Sequence, residues 1–468
     1  MNSNRVAAGM TRRGFGAAVA GAAAGAALGR EKLNLLILTN DQHRADGLGC
    51  MGNPVVKTPV IDRLASEGVL FESHYVQCPQ CVPSRSALHT GRYPHTNRTP
   101  TNLYRLADRE ETLAGILNRA GYRTATTGEL PFAPTRFLGG FQEVLPGCET
   151  MPPEMDAARK RHAENLRRDF QAVAAPWAAE FDETALFAGR AIEFLRANRA
   201  GPFFLHVNFR RPHHPFDPPA PFDRMYDGAT FPPSHKRDGE MRNKPPGQRK
   251  ALENSVGFDL RTMRERDLDR IKSYYYGMVS LNDHYIGRIL DELKRLDPDR
   301  RTVVVFNADH GEMLGDHGLL FKGGYFYDEV VRAPLILRAP GLPAARRVND
   351  LVETVDLLPT LLDLLGLPKS DRVQGRSLLP VIAGKDNRPR AAHSEFPNMK
   401  MIRTREWKLV HYLHAPYGEL YNLKEDPGEL DNRWDDPACA GARSEMQGRL
   451  ADWLVDTEDP ALPPLKAE

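Results

Sequence analysis

Three short apolar runs stand out from an otherwise mixed sequence, at 33–39, 203–209 and 302–306. Each run has the length and the unbroken hydrophobicity of a strand that is buried on both faces. Between the runs, apolar residues recur at helical spacing, as in 111–120, 183–197 and 267–296. Because strands alternate with helices, the pattern predicts an α/β fold with a large, mostly parallel sheet flanked by helices.

The C-terminal part of the chain follows a different pattern. A helix is predicted over 356–367, and a turn-rich region follows near 384–389. Short strand-like segments then occur at 401–403, 407–412 and 419–423. We therefore expect a small C-terminal α+β subdomain with a short antiparallel sheet over 386–468, after a main domain over 31–385.

Polar side chains directly follow each of the three apolar runs. Asp41 and Gln42 follow the first run, His213 follows the second, and Asp309 and His310 follow the third. Ligands of open α/β sheets bind beyond the carboxyl ends of the strands. The sequence therefore predicts a functional site at this edge of the sheet.

Composition bounds the class of protein. The chain has 468 residues, of which 41% are hydrophobic and 26% are charged, so a large buried core is expected. The 63 basic and 61 acidic residues leave a formal net charge of +2. This balance gives no reason to expect nucleic acid or an anionic membrane as the main partner.

The N-terminus has the pattern of a targeting segment. Arg12 and Arg13 lie in the stretch T-R-R-G-F, which resembles a twin-arginine export motif, and no charge follows until Arg30. The uncharged stretch is too short and too weakly apolar for stable membrane insertion. We expect residues 1–30 to direct export to the periplasm or the extracellular space; the alternative is a disordered basic tail.

Five cysteines are present, and none belongs to a paired zinc pattern. Cys78 and Cys81 have the C-x-x-C spacing of a redox dithiol, which is one interpretation of the pair. The residues after Cys81 favour a different one. From Cys81 to Arg92 the sequence is C-V-P-S-R-S-A-L-H-T-G-R, with the pattern C-x-P-S-R followed by T-G.

This segment resembles the signature of the sulfatase family, in which the cysteine is oxidised to formylglycine after translation. The resemblance implies that Cys81 is the precursor of the nucleophile and that a formylglycine-generating maturation enzyme is a partner. Pro83 suits the first turn of a helix, so Cys81 is expected at a helix N-terminus, where the dipole favours an ionised oxygen. Arg85 would lie one turn further on and could reach the same oxygen.

The resemblance extends over about 33–432. It includes the segment from Thr58 to Phe71, the run D-H-G-E with G-D-H-G that begins at Asp309, and the run E-L-Y-N-L that begins at Glu419. It implies an alkaline-phosphatase-like fold, near the phosphonate monoester and phosphodiester hydrolase branch of that superfamily.

Family members usually bind one divalent ion with two residues after the first strand and two after a later one. The matching positions are Asp41, Gln42, Asp309 and His310. Calcium is the family's usual ion and suits oxygen ligands. The common first pair is two aspartates, so Gln42 removes one carboxylate, which leaves Mn²⁺ or Mg²⁺ open.

Two more catalytic residues follow from the resemblance. His213 lies in a segment similar to the family's P-H-x-P, where the histidine faces the transferred group or takes a proton. His214 is the rival position. Lys322 falls where the family places a lysine that stabilises charge on the transferred group or the leaving oxygen.

The chain departs from the family pattern after Gly128. Many sulfatases have a lysine and a histidine in this segment, whereas this chain has Glu129 and Pro131. We expect Glu129 at the mouth of the pocket, where it selects against extra negative charge on the substrate; in the alternative it points into solvent beside a surface arginine. Asn102, in the loop after the Cys81 helix, is a further candidate substrate-binding residue.

The sequence therefore predicts a formylglycine-dependent sulfatase that hydrolyses a small-molecule or carbohydrate sulfate ester with one divalent metal ion. Phosphonate monoester and phosphodiester hydrolases also lack the lysine and histidine, so an enzyme of that kind on the same scaffold is the first alternative. The second is a catalytically inactive, ligand-binding homologue.

Overall fold

The computed structural model describes residues 32–129, 132, 139–147, 153–297, 301–386 and 390–458. The predicted export segment, Pro131 and Cys148 lie outside the described residues. Within the described part, the chain forms one eight-stranded sheet with helices on both faces, a two-stranded pair and a separate four-stranded sheet.

The strands are β1 (Asn34–Asp41), β2 (Val69–Phe71), β3 (His74–Tyr75), β4 (Arg123–Gly128), β5 (Glu143–Val144), β6 (Phe203–Pro212), β7 (Thr302–Ala308), β8 (Leu335–Arg338), β9 (Arg346–Val348), β10 (Val352–Glu353), β11 (Ala392–Phe396), β12 (Met399–Arg403), β13 (Trp407–Tyr412) and β14 (Gly418–Asn422). The large sheet has the order β5-β4-β6-β1-β7-β8-β2-β9. Strand β8 pairs antiparallel with its neighbours β7 and β2, and the other neighbouring pairs of this sheet are parallel.

The helices are α1 (Pro59–Glu67), α2 (Cys81–Thr90), α3 (Pro94–Asn97), α4 (Leu113–Arg119), α5 (Pro153–Asn165), α6 (Glu183–Ala197), α7 (Pro246–Glu253), α8 (Glu265–Leu296), α9 (Asp328–Val331), α10 (Leu357–Leu365), α11 (Leu379–Ile382) and α12 (Ala440–Asp456). Short 3-10 turns connect several of these elements.

Strand β1 at the centre of the sheet divides the core between two faces. Leu36 and Leu38 pack in the cluster that contains side chains of α6 and α8, whereas Leu35 and Ile37 pack with side chains of α4 and α10. All four are fully buried. Because side chains alternate along a strand, a strand that is covered on both faces must be apolar throughout. The continuous run predicted from the sequence has this physical cause.

The C-terminal part forms the antiparallel sheet β11-β12-β13-β14. Helix α12 covers it through Met446, Leu450 and Trp453, in a cluster that also contains Ala87 and Tyr93 from the main domain. The small antiparallel sheet agrees with the sequence prediction, and the domain boundary near residue 385 stays a prediction. In the described part of the chain, no helix has both the length and the apolarity to cross a membrane.

Candidate active site

The candidate site lies where β1 and β7 end side by side. The two strands pair in parallel, with Asn40 opposite Ala308, so Asp41 and Asp309 leave the same edge of the sheet. The backbone N–H of Gln42 donates to Asp309 Oδ1 at 3.1 Å and joins the two strand ends. The side chains of Asp41 and Asp309 are buried. Two carboxylates held away from water need cationic partners, which the surrounding residues provide.

Helix α2 begins at Cys81 and has Pro83 in its first turn. The backbone N–H of Val82 donates to Asn102 Oδ1 at 3.0 Å, and the N–H of Asn102 donates to Gln80 Oε1 at 3.0 Å. Asn102 therefore satisfies one of the free N–H groups of the helix start and fastens its own loop beside Cys81. Asn102 is exposed, and its role in binding substrate stays a prediction.

Arg85 lies one turn after Cys81 and pairs with both carboxylates. Its Nη2 is 2.5 Å from Asp41 Oδ2, and its Nε is 2.8 Å from Asp309 Oδ2. Burial alone would lower the pKa of Arg85, but Asp309 and Asp41 raise it well above the usual value. The guanidinium thus stays charged and holds the Oδ2 atoms of both aspartates in place.

The other oxygens of the aspartates face a cluster of ligand-type side chains. One ligand atom each of Asp41, Cys81, Asp309 and His310 lies within 4.8 Å of the others. His310 Nε2 is 3.5 Å from Asp41 Oδ1 and 3.8 Å from Asp309 Oδ1. The structure therefore brings three of the four predicted metal ligands together around the position of the predicted nucleophile.

Gln42, the fourth predicted ligand, is fully buried beside this cluster. Its backbone adopts a left-handed conformation, with φ of 62°. Its Nε2 donates to Glu312 and lies 3.1 Å from His214 Nδ1, whereas its Oε1 has no hydrogen-bond partner among the described residues. A buried amide oxygen without a partner costs roughly 1–3 kcal/mol. Coordination of a cation would satisfy it, so the oxygen-rich donor set fits a hard divalent ion.

Glu312 was not selected from the sequence, although it stands in the D-H-G-E segment that carries the resemblance. It is fully buried, and its Oε1 accepts from the backbone N–H of Leu314 at 3.0 Å. Its contact with Gln42 fixes the amide group that would complete the ligand set. Only the fold reveals this partnership, because 270 residues separate the two side chains along the chain.

Lys322 lies directly against the predicted nucleophile. Its Nζ is 2.9 Å from Cys81 Sγ, 2.9 Å from His310 Nε2 and 3.9 Å from Asp41 Oδ1. Burial lowers the pKa of Lys322, but Cys81 and Asp41 outweigh that effect and raise it to about 12. Burial and the nearby Asp41 in turn raise the pKa of the Cys81 thiol. The lysine therefore places a permanent positive charge at the point where the predicted nucleophile stands.

His213 and His214 stack with ring centroids 4.1 Å apart. His213 Nδ1 bonds the backbone oxygen of His214, and its Nε2 has no partner among the described residues. His214 instead meets Gln42 through its Nδ1. Burial and Lys322 lower the pKa of His213 well below its usual value, so the ring is neutral near pH 7. His214 Nε2 likewise has no partner among the described residues, so the choice of His213 over His214 stays a prediction.

Glu129 follows β4 at the mouth of the site. Gly128 has φ of +87°, and a Cβ there would lie 1.9 Å from the backbone oxygen of Asn208, so only glycine fits this close approach of β4 and β6. Glu129 Oε2 is then 3.7 Å from Arg85 Nη2, with 43% of the side chain exposed. Burial and Asp41 raise the pKa of Glu129. The expected place at the mouth agrees with the structure, and the effect on selectivity stays a prediction.

The other described cysteines are not alternatives to Cys81 as the nucleophile. Among the described residues, Cys50, Cys78, Cys81 and Cys439 are all free thiols. Cys78 is fully buried, and burial raises its pKa well above the usual value. Reactive dithiols need an accessible thiolate, so the redox interpretation of C-x-x-C has no support in this geometry. The site instead combines one nucleophile position, two cationic side chains, a pair of stacked histidines and an oxygen-rich ligand set.

The chain matches two family models. The model described as Sulfatase matches residues 33–367. The model described as N-sulphoglucosamine sulphohydrolase, C-terminal, matches residues 315–456. Together these matches span both the large sheet and the small antiparallel sheet.

Curated relatives align over most of the chain. An uncharacterized sulfatase of Escherichia coli, YidJ, is 30% identical over 458 residues, covering 91% of this chain and 88% of that protein. An arylsulfatase of Clostridium perfringens is 29% identical over 449 residues, covering 86% of this chain and 90% of that protein.

Among solved structures, the phosphonate monoester hydrolase of Agrobacterium radiobacter superposes with a TM-score of 0.80. It is 29% identical, and the match covers 92% of this chain and 97% of that one. The alkaline-phosphatase-like fold predicted from the sequence is therefore confirmed.

Proposed function

Because the chain belongs to the sulfatase family of hydrolases, we propose that it hydrolyses a sulfate ester by means of a formylglycine derived from Cys81. The observation that carries this proposal is the position of Cys81, at the start of α2 with Lys322 Nζ 2.9 Å from its Sγ. When formylglycine is present, its hydrated aldehyde supplies the nucleophilic oxygen, and the Cys81 sulfur stands in for that oxygen in this structure.

The surrounding residues suit an anionic transferred group. The N-terminus of α2 carries a partial positive charge that favours an ionised oxygen at position 81. Lys322 adds a full positive charge on the same side, in a buried site where water screens that charge only weakly. Arg85 holds Asp41 and Asp309 so that their Oδ1 atoms remain directed to the cluster.

We propose that His213 moves the proton. Its ring is neutral, its Nδ1 is held by the backbone oxygen of His214, and its Nε2 is free to accept. A neutral imidazole with one nitrogen fixed and the other free has the arrangement of a general base. This role predicts that His213, rather than His214, controls the dependence of turnover on pH.

We propose that Asp41, Gln42, Asp309 and His310 hold one divalent cation, with calcium favoured by the oxygen donors and Mn²⁺ or Mg²⁺ as alternatives. The support is the convergence of one ligand atom each of Asp41, Asp309 and His310 within 4.8 Å, and the unsatisfied buried Oε1 of Gln42 beside them. The ion would supply positive charge for the transferred group, in addition to that of Lys322.

The proposed substrate is a small-molecule or carbohydrate sulfate ester, in keeping with the relatives that are named sulfatases. We further propose that a formylglycine-generating enzyme modifies Cys81 and that residues 1–30 direct export to the periplasm or the extracellular space. The twin arginines at Arg12 and Arg13 support this location.

Hydrolysis of a phosphonate monoester or a phosphodiester is the second candidate function. Two observations favour it: Glu129 lies at the mouth of the site, and the solved phosphonate monoester hydrolase has the same fold at 29% identity. A carboxylate at this place opposes a second negative charge near the reacting group, whereas monoanionic esters of either kind remain acceptable.

A substrate panel on fully modified enzyme separates these functions. We expect kcat/KM for an aryl sulfate to exceed that for the phosphodiester and the phosphonate monoester of the same phenol. A reversed order would replace the first function by the second. If no ester is turned over and Cys81 from the native host is unmodified, the chain is a ligand-binding homologue and both catalytic functions are wrong.

A further inference from the structure

A second compartment adjoins the candidate site. A cavity of about 570 Å³ lies beside His213, which forms part of its wall. This volume is within the range of small-molecule pockets and exceeds the space that a sulfate group alone would need. Leu166, Trp177 and Phe258 contribute apolar and aromatic surface to the lining. The cavity therefore has the size and the surface to receive a ring that continues from the reacting group.

The polar part of the lining carries an excess of positive charge. Four arginines and three carboxylates line the cavity: Arg159, Arg167, Arg210, Arg211, Asp182, Glu183 and Asp217. Two of the arginines are neutralised. Arg211 pairs with Asp182 at 2.7 Å and with Asp217 at 2.6 Å, and Arg159 pairs with Glu183 at 3.1 Å.

Arg210 and Arg167 have no such partner among the described residues. None of the ion pairs or side-chain hydrogen bonds between described residues involves either guanidinium. Glu183 and Glu129 still raise the pKa of Arg210 from a greater distance, so its charge is permanent. Arg210 comes from the same end of β6 as His213, which places one unpaired cation next to the proposed base.

We propose that this cavity binds the leaving group of the substrate and that Arg210 and Arg167 recognise a second anionic group on it, a carboxylate or a further sulfate. The proposal rests on the proposed ester hydrolysis and names the class of ester: one whose leaving group is itself an anion. A guanidinium offers two parallel N–H donors that match a carboxylate or a sulfate, and this arrangement provides both affinity and orientation.

In this assignment, the negative charge of Glu129 and the positive charges of the cavity arginines act on different parts of the substrate. Glu129 stands beside Arg85, next to the reacting group, whereas Arg167 stands in the cavity lining. An anionic group on the leaving group would contact the arginines of the cavity. The apolar surface of Trp177 and Phe258 would pack against the ring that connects the two anions.

The test uses two aryl sulfates of equal size. One is the sulfate ester of a phenol with a carboxyethyl chain, and the other carries the corresponding carboxamide, so that the reactivity of the ester bond is matched. We expect wild-type enzyme to prefer the carboxylate. Arg210→Gln should reduce this preference, measured as the ratio of the two kcat/KM values, by about tenfold or more. Arg167→Gln should reduce it in the same direction.

Arg405→Gln is the matched control, because Arg405 is 73% exposed and lies between β12 and β13, outside the cavity lining. It should leave the ratio unchanged. Turnover of both aryl sulfates with a ratio near one, unaffected by Arg210→Gln and Arg167→Gln, would overturn the inference and leave the proposed function standing.

Binding to the Cys81→Ala variant distinguishes failure of this inference from failure of the proposed function. Titration calorimetry with the same two esters measures recognition without turnover. Tighter binding of the carboxylate that is lost in Cys81→Ala/Arg210→Gln supports the inference, even if wild-type enzyme hydrolyses neither ester and the proposed function fails. Equal binding of the two esters to Cys81→Ala contradicts it.

Discussion

In Asp41 and Asp309, the two carboxylate oxygens have different partners. The Oδ2 atoms pair with Arg85, and the Oδ1 atoms lie on the side of His310. Arg85 therefore orients the carboxylates while leaving one oxygen of each for a cation. Removal of Arg85 would leave two buried carboxylates without the guanidinium that pairs with both, which is costly.

Asp309→Ala tests the ligand set at the residue scale. It removes one oxygen donor and one negative charge, so the proposed metal should be lost and kcat/KM should fall by more than about 100-fold, the upper end for residues that only orient a ligand. Elemental analysis and kinetics measure the two effects. Asp108→Ala, at a carboxylate that is 68% exposed, is the control. Active wild-type enzyme without stoichiometric metal would refute the assignment.

Glu129→Gln tests the role of the carboxylate at the mouth. A like charge a few Å from a bound anion costs on the order of 1–4 kcal/mol at intermediate dielectric. The substitution should therefore raise affinity for esters that carry extra negative charge next to the reacting group, and should leave the preference for a carboxylate on the leaving group unchanged. Relative kcat/KM across differently charged esters is the measurement. An unchanged order across the panel would show that Glu129 has no part in selection.

The residue scale also shows where the sequence is informative. The family resemblance located Cys81, Arg85 and Lys322, because their spacing within short segments is distinctive. It could not locate Arg210 or Glu312. Their significance depends on partners that are present or absent after folding, and a single sequence does not reveal unpaired charge in a cavity.

At the scale of elements, the start of α2 depends on a reciprocal contact with the loop that follows α3. Asn102 accepts from Val82 and donates to Gln80, so the residues on both sides of Cys81 are held by one side chain and its backbone. A helix start that is fixed in this way can keep a reactive position in place although Asn102 itself is exposed.

Asn102→Ala should lower stability by about 1 kcal/mol through loss of the cap, and should reduce kcat/KM because Cys81 is less well held. Thermal unfolding and kinetics record the two effects. Asn102→Asp retains the accepting oxygen but lacks the amide donor. If it restores stability without restoring activity, position 102 acts on the substrate as well as on the helix start.

Strands and helices could be predicted from the sequence where burial leaves a clear pattern of apolar residues. Strands β1, β6 and β7 were recognisable because both faces are covered, and α6 was predicted with the bounds that it has. Strand β4 was missed because its sequence R-T-A-T-T-G is not apolar. Thr124, Thr126 and Thr127 are nevertheless buried, since β-branched side chains suit a sheet. The hydroxyls of Thr124 and Thr126 form hydrogen bonds with Asn118 and Asn208.

At the scale of the whole molecule, the small C-terminal sheet is tied to the residues ahead of Cys81. The N–H of Glu395 in β11 donates to the backbone oxygen of Gln77 at 2.9 Å, and Glu395 pairs with His95 at 2.9 Å. Lys408 in β13 is fully buried and pairs with Asp328 of α9 at 2.6 Å. The C-terminal subdomain therefore supports the catalytic edge of the large sheet.

Lys408→Met should destabilise the whole protein by about 3–5 kcal/mol, because it leaves the carboxylate of Glu429 buried without its cation and leaves Asp328 only the longer contact with Arg403, at 3.7 Å. Denaturant unfolding followed by tryptophan fluorescence and by activity should show one shared, earlier transition. Lys424→Met, at an exposed position, is the control. If the tryptophan fluorescence changes at a lower denaturant concentration than the one at which activity is lost, the subdomain unfolds independently.

The central claim is that Cys81 becomes the formylglycine that carries out ester hydrolysis. Peptide mass spectrometry of protein from a host with the maturation machinery, together with aryl sulfate turnover of the same preparation, tests it most directly. We predict conversion of the cysteine to the aldehyde, turnover in proportion to the converted fraction, and no turnover by Cys81→Ala. Full activity in protein whose Cys81 is an unmodified thiol would contradict the account.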